Sequence, residues 1–337
     1  MTVGTVHRQG TRAALAALGC SFMLQSGVAP AWSQVSWLGW PAKTITAIAP
    51  FAAGSAADVV ARVVLEQVSK QVGRAIVVEN RGGAGGTLGA NAVAKAVPDG
   101  HTLLAHSTSL SAAHGLYPSL PYDTLSDFAP IVPLGVQPMV LVTSPAKGFK
   151  TLGELVAAAK AKPGAMNFAS AGLGSASHLA VERLRIAAGF DAQHIPFKGA
   201  MEAFTEVMTG RVDIAFFPLA PALPLIKDGK LVALAVSTSK RTGALPGVPT
   251  TIEAGVTDSS YDFWVALFLP VKTPRDIAVR LHTETAGALQ TAAVRERLAT
   301  LGVEPMPMSL ETFDAYFRND VLAHVKIVRA AKIPVPE

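Results

Sequence analysis

The sequence predicts an α/β fold with two lobes, each built on a mostly parallel sheet flanked by helices. Short apolar runs alternate with stretches of helical periodicity along residues 44–107, and the alternation returns along residues 151–237. This pattern is typical of βα units, which place helices on the faces of a largely parallel sheet. The chain has 337 residues, which is long enough for two domains of about 100–200 residues each.

Two extended apolar segments separate these halves. One covers residues 138–145 and the other covers residues 263–271. Because each lies where the chain passes from one half to the other, we expect two crossings and a ligand cleft between the lobes. The sequence therefore predicts that lobe 1 comprises 41–140 with 265–337 and that lobe 2 comprises 141–264.

The first half begins with a buried strand and an amphipathic helix. The run "TITAIAP" at 44–50 is continuously apolar, as in a strand covered on both faces. From Asp58 the valines recur at the i, i+3, i+4 spacing of a helix with one buried face, and Gly73 ends the pattern. Similar patterns predict strands at 75–80 and 101–107 and a helix at 88–97.

The second half begins with a helix-capping pattern. Thr151 precedes a helical stretch and Glu154 follows three residues later, as in a capping box. The patterns that follow predict helices at 151–164, 177–188, 200–209 and 221–228 and strands at 166–170, 193–197, 212–217 and 231–237, with further helices at 274–303 and 309–330.

Residues 1–33 have the pattern of a cleaved export signal. Arg8 and Arg12 give a basic start, residues 13–24 are apolar, and "AWS" at 31–33 offers a small-residue cleavage site. A membrane anchor, the alternative, needs roughly 20 apolar residues. We therefore expect a periplasmic mature protein.

Cys20 is the only cysteine and lies inside this signal. Lipid attachment at Cys20 is an alternative, but Ala17 stands where lipoprotein signals usually have leucine. The mature chain would then have no disulfide and no cysteine nucleophile. The formal net charge is +5, and no dense run of Lys and Arg suggests nucleic acid as a partner.

The loop "PFAAGSAADVVAR" at 50–62 leads from the first predicted strand into the first helix. Ligands of open α/β sheets bind outside the carboxyl ends of the strands. A helix N-terminus presents free N–H groups and partial positive charge, and small residues let an anion approach them. Asp58 fits either a helix cap or a residue that orders this loop for a ligand.

The segment "SAGLGSASHL" at 170–179 is the matching element of the second half. We expect Gly174, Ser175 and Ser177 to face the first loop across the cleft. An exported hydrolase that uses Ser175, Ser177 and His178 is the alternative. It is disfavoured because the GxSxG elbow is missing and because adjacent residues on a helix point apart.

Three further segments carry groups that fit an anionic ligand or an ordinary turn. The glycine-rich "ENRGGAGGTLGA" has Leu88 where a dinucleotide fingerprint needs its third glycine, so a nucleotide is disfavoured. "STS" at 107–109 supplies hydroxyls, and Lys198 supplies a cation. The histidines lack metal-site spacing, so we predict no metal and no cofactor.

Many collinear segments together resemble one family. They are "WPAKTITAIAPFAAGSAADVVAR", "VVENRGGAGGTLGA", "PDGHTLL", "LPYDTLSDFAPI", "GLGSASHLAVERL", "HIPFKGA", "GRVDIAF", "LPGVPTTIEAG" and "VRERLATLGVEP". Through them the mature chain resembles the Bug (TctC-like) family of exported solute-binding proteins, which serve tripartite tricarboxylate transporters.

The resemblance implies a two-lobe periplasmic-binding-protein fold (type II-like) that closes on a small carboxylate or related solute. It also implies a non-enzymatic role and a membrane transporter subunit as partner, with a solute sensor without transport as an alternative; we expect a monomer. Carried over by position, the expected ligand-binding residues are Phe51, Ala53, Gly54, Ser55, Asp58, Gly86, Thr87, Ser107, Thr108, Gly174, Ser175, Ser177, His178, Lys198 and Phe217.

The sequence departs from the family pattern at three places. The usual PFxPGGxxD reads "PFAAGSAAD" here, and Thr87 stands where asparagine is frequent. Phe217 and Pro218 stand where Asp-Asn is frequent, which removes a carboxylate and an amide from the expected cleft. We therefore expect a ligand with an apolar or aromatic body rather than one with an amino group.

Overall fold

The structure of the chain is a computed structural model that describes Met1 and residues 39–51, 53–197 and 200–333. The predicted signal beyond Met1, with its Cys20, and Lys198 lie outside the described residues. In chain order the helices and strands are β1 (Ile45–Ala49), α1 (Ala56–Val72), β2 (Ile76–Asn80), α2 (Thr87–Ala94), β3 (Thr102–Ser107), α3 (Ser109–Leu116), β4 (Phe128–Gln137), β5 (Met139–Thr143), α4 (Leu152–Ala161), β6 (Met166–Ser170), α5 (Ala176–Ala188), β7 (Ala192–Pro196), α6 (Ala200–Met208), β8 (Ile214–Pro218), α7 (Leu219–Lys227), β9 (Val232–Val236), β10 (Phe263–Pro270), α8 (Arg275–Gln290), α9 (Ala292–Thr300) and α10 (Leu310–Ala330), with short 3₁₀ turns at Ala84–Gly86 and Pro145–Lys147.

The strands form two five-stranded sheets. Sheet A has the order β2-β1-β3-β10-β4, and sheet B has the order β7-β6-β8-β5-β9. In sheet A, β10 runs antiparallel to both of its neighbours while the other strands share one direction. In sheet B, β5 is the reversed strand. The α/β class is confirmed, and each sheet is mixed because the strand that follows a crossing enters it in the reverse direction.

Some elements differ from the sequence prediction for identifiable reasons. Strand β4 was not predicted because Pro130 and Pro133 interrupt its pattern, and proline is tolerated there since β4 is an edge strand. The helix predicted at 274–303 is two helices, since Thr291 has extended dihedrals and its hydroxyl donates to the carbonyl of Ala288.

Both faces of sheet A are covered by helices. Val64 of α1 and Leu281 of α8 belong to the apolar cluster on one face. On the other face, Trp264 of β10 is fully buried and its ring meets those of Phe313 and Phe317 from α10. Its indole N–H donates to Asp320 at 3.0 Å, so the last long helix is held on sheet A by both packing and a hydrogen bond.

Helix α10 also reaches the core beneath sheet B. Its Ile327 and Val328 belong to the same apolar cluster as Leu179 of α5 and Phe216 of β8. Leu116 of α3 joins this cluster. The two sheets are thus linked by helical packing as well as by the two chain crossings.

The aromatic cluster on α10 predicts a large loss of stability on truncation. Phe313→Ala should lower the free energy of unfolding by about 3–5 kcal/mol, because it leaves a cavity beside Trp264. The matched control is Leu322→Ala on the same helix, where Leu322 is 53% exposed, and its effect should stay within about 0.5 kcal/mol. Urea unfolding of both variants measures this, and equal losses would contradict the assigned packing.

Candidate functional site

A cavity of about 420 Å³ opens between the two sheets. Its walls come from the loop before α1, the start of α3, the loop before α5 and the end of β8. A larger cavity of about 750 Å³ lies against α8 and α9. None of the loop residues predicted to bind a ligand lines that larger cavity, so we assign the candidate site to the smaller one.

The loop before α1 is fixed by its own helix. Gly54 has φ +84°, a left-handed conformation that suits glycine. Ser55 is the N-cap of α1, and its hydroxyl accepts from the N–H of Asp58. Ser55 lines the cavity, together with Ala56 and Ala57 of the first turn. The start of α1 therefore faces the cavity.

Asp58 lies behind this turn, where it is 3% exposed. Its carboxylate accepts from the N–H of Gly54 at 2.8 Å, from the side-chain amide of Asn80 at 2.9 Å and from Arg62 at 2.8 Å. Burial acts to raise the pKa of Asp58, but these hydrogen bonds outweigh it and hold the pKa below its usual range. Asp58 thus orders the loop from behind as a carboxylate and does not line the cavity.

The loop before α5 has the same construction. Gly174 has φ +72°, and Ser175 is the N-cap, with φ −65° and ψ 159° against −64° and 158° at Ser55. The hydroxyl of Ser175 accepts from the N–H of His178. The N–H of Gly174 donates to Nδ1 of His178 at 3.1 Å, as Gly54 does to Asp58. "GSAAD" at 54–58 and "GSASH" at 174–178 are therefore structural equivalents.

His178 lies behind its loop and is 2% exposed. Its ring stacks on His194 with centroids 3.8 Å apart, and His194 stacks on Phe168. Burial, with the nearby charges of His194 and Arg185, lowers the pKa of His178 to about 3. Burial lowers the pKa of His194 to about 4. Both rings are therefore neutral at pH 7.

The serine hydroxyls of the α5 loop are committed to the loop itself. Ser175 donates to the carbonyl of Gly172 at 2.7 Å, and Ser177 accepts from the N–H of Ala171 at 2.9 Å. The two hydroxyl oxygens lie 3.0 Å apart, so Ser177 is the donor between them. Because Nδ1 of His178 already accepts from Gly174, this geometry gives no support to the nucleophile and base that a hydrolase would need.

The N-termini of α1 and α5 both leave donors for a ligand. Within the described chain, the N–H groups of Ala56 and Ala57 have no hydrogen-bond partner, and the same holds for Ala176 and Ser177. The N–H of Ser175, by contrast, donates to Gly172. Two helix N-termini from opposite sheets therefore offer free N–H groups to one cavity.

The remaining polar groups come from the start of α3. Ser107 and Ser109 line the cavity, and their hydroxyls lie 3.3 Å apart. Thr108 between them is fully buried and does not line it. The phenol of Tyr117 packs against Gly85, where a Cβ would lie 2.5 Å from its oxygen. Both residues line the cavity, so the glycine-rich loop reaches the cavity at Gly85.

The structure brings together about half of the residues predicted from the sequence. Those that line the cavity are Phe51, Ser55, Ser107, Gly174, Ser175, Ser177 and Phe217. Those described residues that do not line it are Ala53, Gly54, Asp58, Gly86, Thr87, Thr108 and His178; Lys198 lies outside the described residues.

Most of the lining that sequence reasoning missed is apolar. Phe217 packs its ring on Phe204, 3.7 Å between centroids, while Pro218 beside it also reaches the cavity. The missed residues include Leu116, Tyr117, Met139, Leu173, Pro218 and Phe263. Leu116, Tyr117, Met139 and Phe263 lie at helix ends and chain crossings, where no motif marks them, whereas Leu173 and Pro218 lie next to predicted residues.

The described residues contain neither a metal-binding cluster nor a membrane-spanning helix. No group of three or more His, Asp or Glu within them could hold a metal ion. No helix among them combines the length and the hydropathy needed to cross a membrane.

Comparison with known proteins agrees with this geometry. The sequence matches the family described as "Tripartite tricarboxylate transporter family receptor" over residues 60–333. Protein BugT of Bordetella pertussis is 36% identical over 317 residues, which is 94% of this chain and 96% of BugT.

Two solved structures are similar over nearly their whole length. Rpa4515 of R. palustris with adipate has a TM-score of 0.77 and 28% identity, covering 87% of this chain and 99% of that one. The periplasmic binding protein BugD has a TM-score of 0.74 and 31% identity, covering 87% and 99%. The two-lobe periplasmic-binding-protein fold is therefore confirmed, and the chain belongs to the TctC family of tripartite tricarboxylate transporter receptors, to which the Bug proteins are related.

Proposed function

We propose that this protein is a periplasmic solute-binding protein that captures a small carboxylate between its lobes and is not an enzyme. The observation that carries the proposal is the pair of equivalent loops at 54–58 and 174–178, whose helices direct free first-turn N–H groups into one cavity. Such groups favour an anion. The lobes are proposed to have the bounds 41–140 with 265–337 and 141–264.

The energetics of such a site suit a small acid. Each helix N-terminus contributes about 0.3–1 kcal/mol to an anion, and up to about 2 kcal/mol when partly buried. Charge-assisted hydrogen bonds are roughly twice as strong as neutral ones. Several of these together with apolar contact can reach the roughly 8 kcal/mol that corresponds to a micromolar Kd.

The relatives support the class of ligand and the setting. The similar structure of Rpa4515 contains adipate, a small carboxylate. The family description names a transporter receptor, so the proposed partner is the membrane subunit of a tripartite tricarboxylate-type transporter, with the chain acting as a monomer. A solute sensor without transport would use the same cleft, and a cleaved signal at 1–33 would deliver either one to the periplasm.

A thermal-shift screen of the mature protein tests the proposal. Its panel holds mono-, di- and tricarboxylates, aromatic acids and amino acids, with NAD and NADP included. An acid at 100 times its Kd should stabilise the fold by about 2.7 kcal/mol, and the amide of the same acid should give no comparable shift. The proposal would be overturned if no acid shifted the unfolding midpoint while a nucleotide did, or while the protein hydrolysed an ester.

Because His178 and His194 are neutral in the folded chain, we predict that a fall in pH lowers the stability of the fold before it lowers the affinity for the ligand. The pKa of His178 is about 3 in the folded chain and 6.5 ordinarily. Between these two pH values the histidine is protonated in the unfolded chain and neutral in the folded chain. Stability is full above about pH 6.5 and falls as the pH decreases, by about 2 kcal/mol at pH 5 for one such histidine.

Urea unfolding at pH 7.5 and pH 5.0 measures this loss. His178→Asn keeps an acceptor for Gly174 and should make the pH dependence shallower by that amount. Calorimetry with the acid that binds best should meanwhile give a Kd that changes less than about threefold, because no described lining residue titrates in this range. A parallel loss of affinity would mean that the histidines act on the ligand.

A further inference from the structure

We infer that the cleft takes a monocarboxylate with an apolar or aromatic body and holds its carboxylate at the N-terminus of α5. This rests on the proposed function and narrows it to a substrate class. The inference comes from the difference in charge between the two equivalent loops and from the character of the remaining walls.

The loops differ at Ala57 against Ser177 and at Asp58 against His178, and the second of these differences changes the charge. Asp58 places a buried carboxylate in the first turn of α1, where it accepts the N–H of Gly54. Its partner Arg62 is 48% exposed, so water screens much of that positive charge. The partial positive charge of the α1 N-terminus is therefore already opposed by an anion of the chain itself.

Helix α5 has no such anion in its first turn. Its equivalent residue, His178, is a neutral imidazole that accepts from Gly174. The first carboxylate along α5 is Glu182, one turn farther on, where it pairs with Arg185 at 2.7 Å. The turn that carries the free N–H groups of Ala176 and Ser177 therefore keeps its positive potential for a ligand.

The side chains of the rest of the cavity offer no cation for a second charge. None of the described residues that line it is ionised at neutral pH. Apart from hydroxyls at the helix starts and the phenol of Tyr117, the walls are apolar, with Phe51 and Phe263 facing the cavity beside Leu116, Met139, Leu173 and Phe217. A second carboxylate would lose its water against these side chains, and its remaining partners, the N–H groups of Ala56 and Ala57, lie where the carboxylate of Asp58 opposes an anion.

The volume and the aromatic lining indicate the kind of body. A cavity of about 420 Å³ is near the lower end of ligand pockets, which run from about 300 to 1,000 Å³. Phenylalanine rings pack well against a second ring or an alkyl chain. A benzoate-like acid or a short fatty acid fits both observations.

The decisive experiment compares acids that differ by one carboxylate. Calorimetry at pH 7.5 pairs hexanoate with adipate and benzoate with terephthalate. We expect the monoacid of at least one pair to bind ten times more tightly than its diacid, a difference of about 1.4 kcal/mol. Diacids that bind equally or better would overturn the inference and leave the proposed function standing, whereas no binding by any carboxylate would remove both.

A matched pair of prolines tests where the carboxylate lies. Ala176 and Ala56 are both first helical residues, where proline is tolerated, and the serine before each already has dihedrals compatible with a following proline. Ala176→Pro should weaken monoacid binding at least tenfold, and Ala56→Pro, which also removes an N–H from the cavity, should weaken it at least three times less than Ala176→Pro does. Equal losses, or a larger loss in Ala56→Pro, would place the carboxylate elsewhere.

A gain of function tests the missing second charge independently of the prolines. Leu173 lines the cavity and is 43% exposed, so Leu173→Lys adds a cation with little cost to folding. The ratio of adipate to hexanoate affinity should rise at least fivefold. Leu322→Lys, which adds the same charge on the outer face of α10, is the control and should leave the ratio unchanged; an unchanged ratio in Leu173→Lys would contradict the inference.

Discussion

The hydrogen bond from a loop glycine to the side chain one turn into the following helix is the constraint on which the site depends. It joins Gly54 to Asp58 and Gly174 to His178. With the glycine N–H engaged behind the loop and the serine hydroxyl capping the third N–H of the helix, the N–H groups of the first two helical residues are left for the cavity. The same bond also fixes how much charge each helix start offers, because its acceptor is an anion in one loop and a neutral ring in the other.

Two crossings and the packing of α3 and α10 link the sheets. Gly174 lies close to Leu116, where a Cβ would come within 2.5 Å of its Cδ1. A side chain at position 174 would therefore hold the loops apart, so the glycine serves both the turn and the approach of the lobes.

The sequence predicted those strands and loops that a single local pattern marks. Alternating periodicities located nearly every buried strand, and small residues before a helix located both loops that line the cavity. Strand β4 escaped because its prolines are tolerated at an edge. Leu173 and Phe263 escaped because they enter the cavity through tertiary placement. The roles of Asp58 and His178 were open for the same reason, since only the fold shows that they support the loops from behind.

Closure of such a cleft needs a ligand that both lobes recognise. A carboxylate held mainly at α5 would engage one lobe, so the apolar body has to supply the contact with the other, against Phe51 and Leu116. Burial of that body would then drive closure, while the carboxylate sets its orientation. If burial of the apolar body drives closure, the heat-capacity change of binding should be negative and should grow with the size of that body. A second carboxylate would oppose closure, because it would keep water in the cleft.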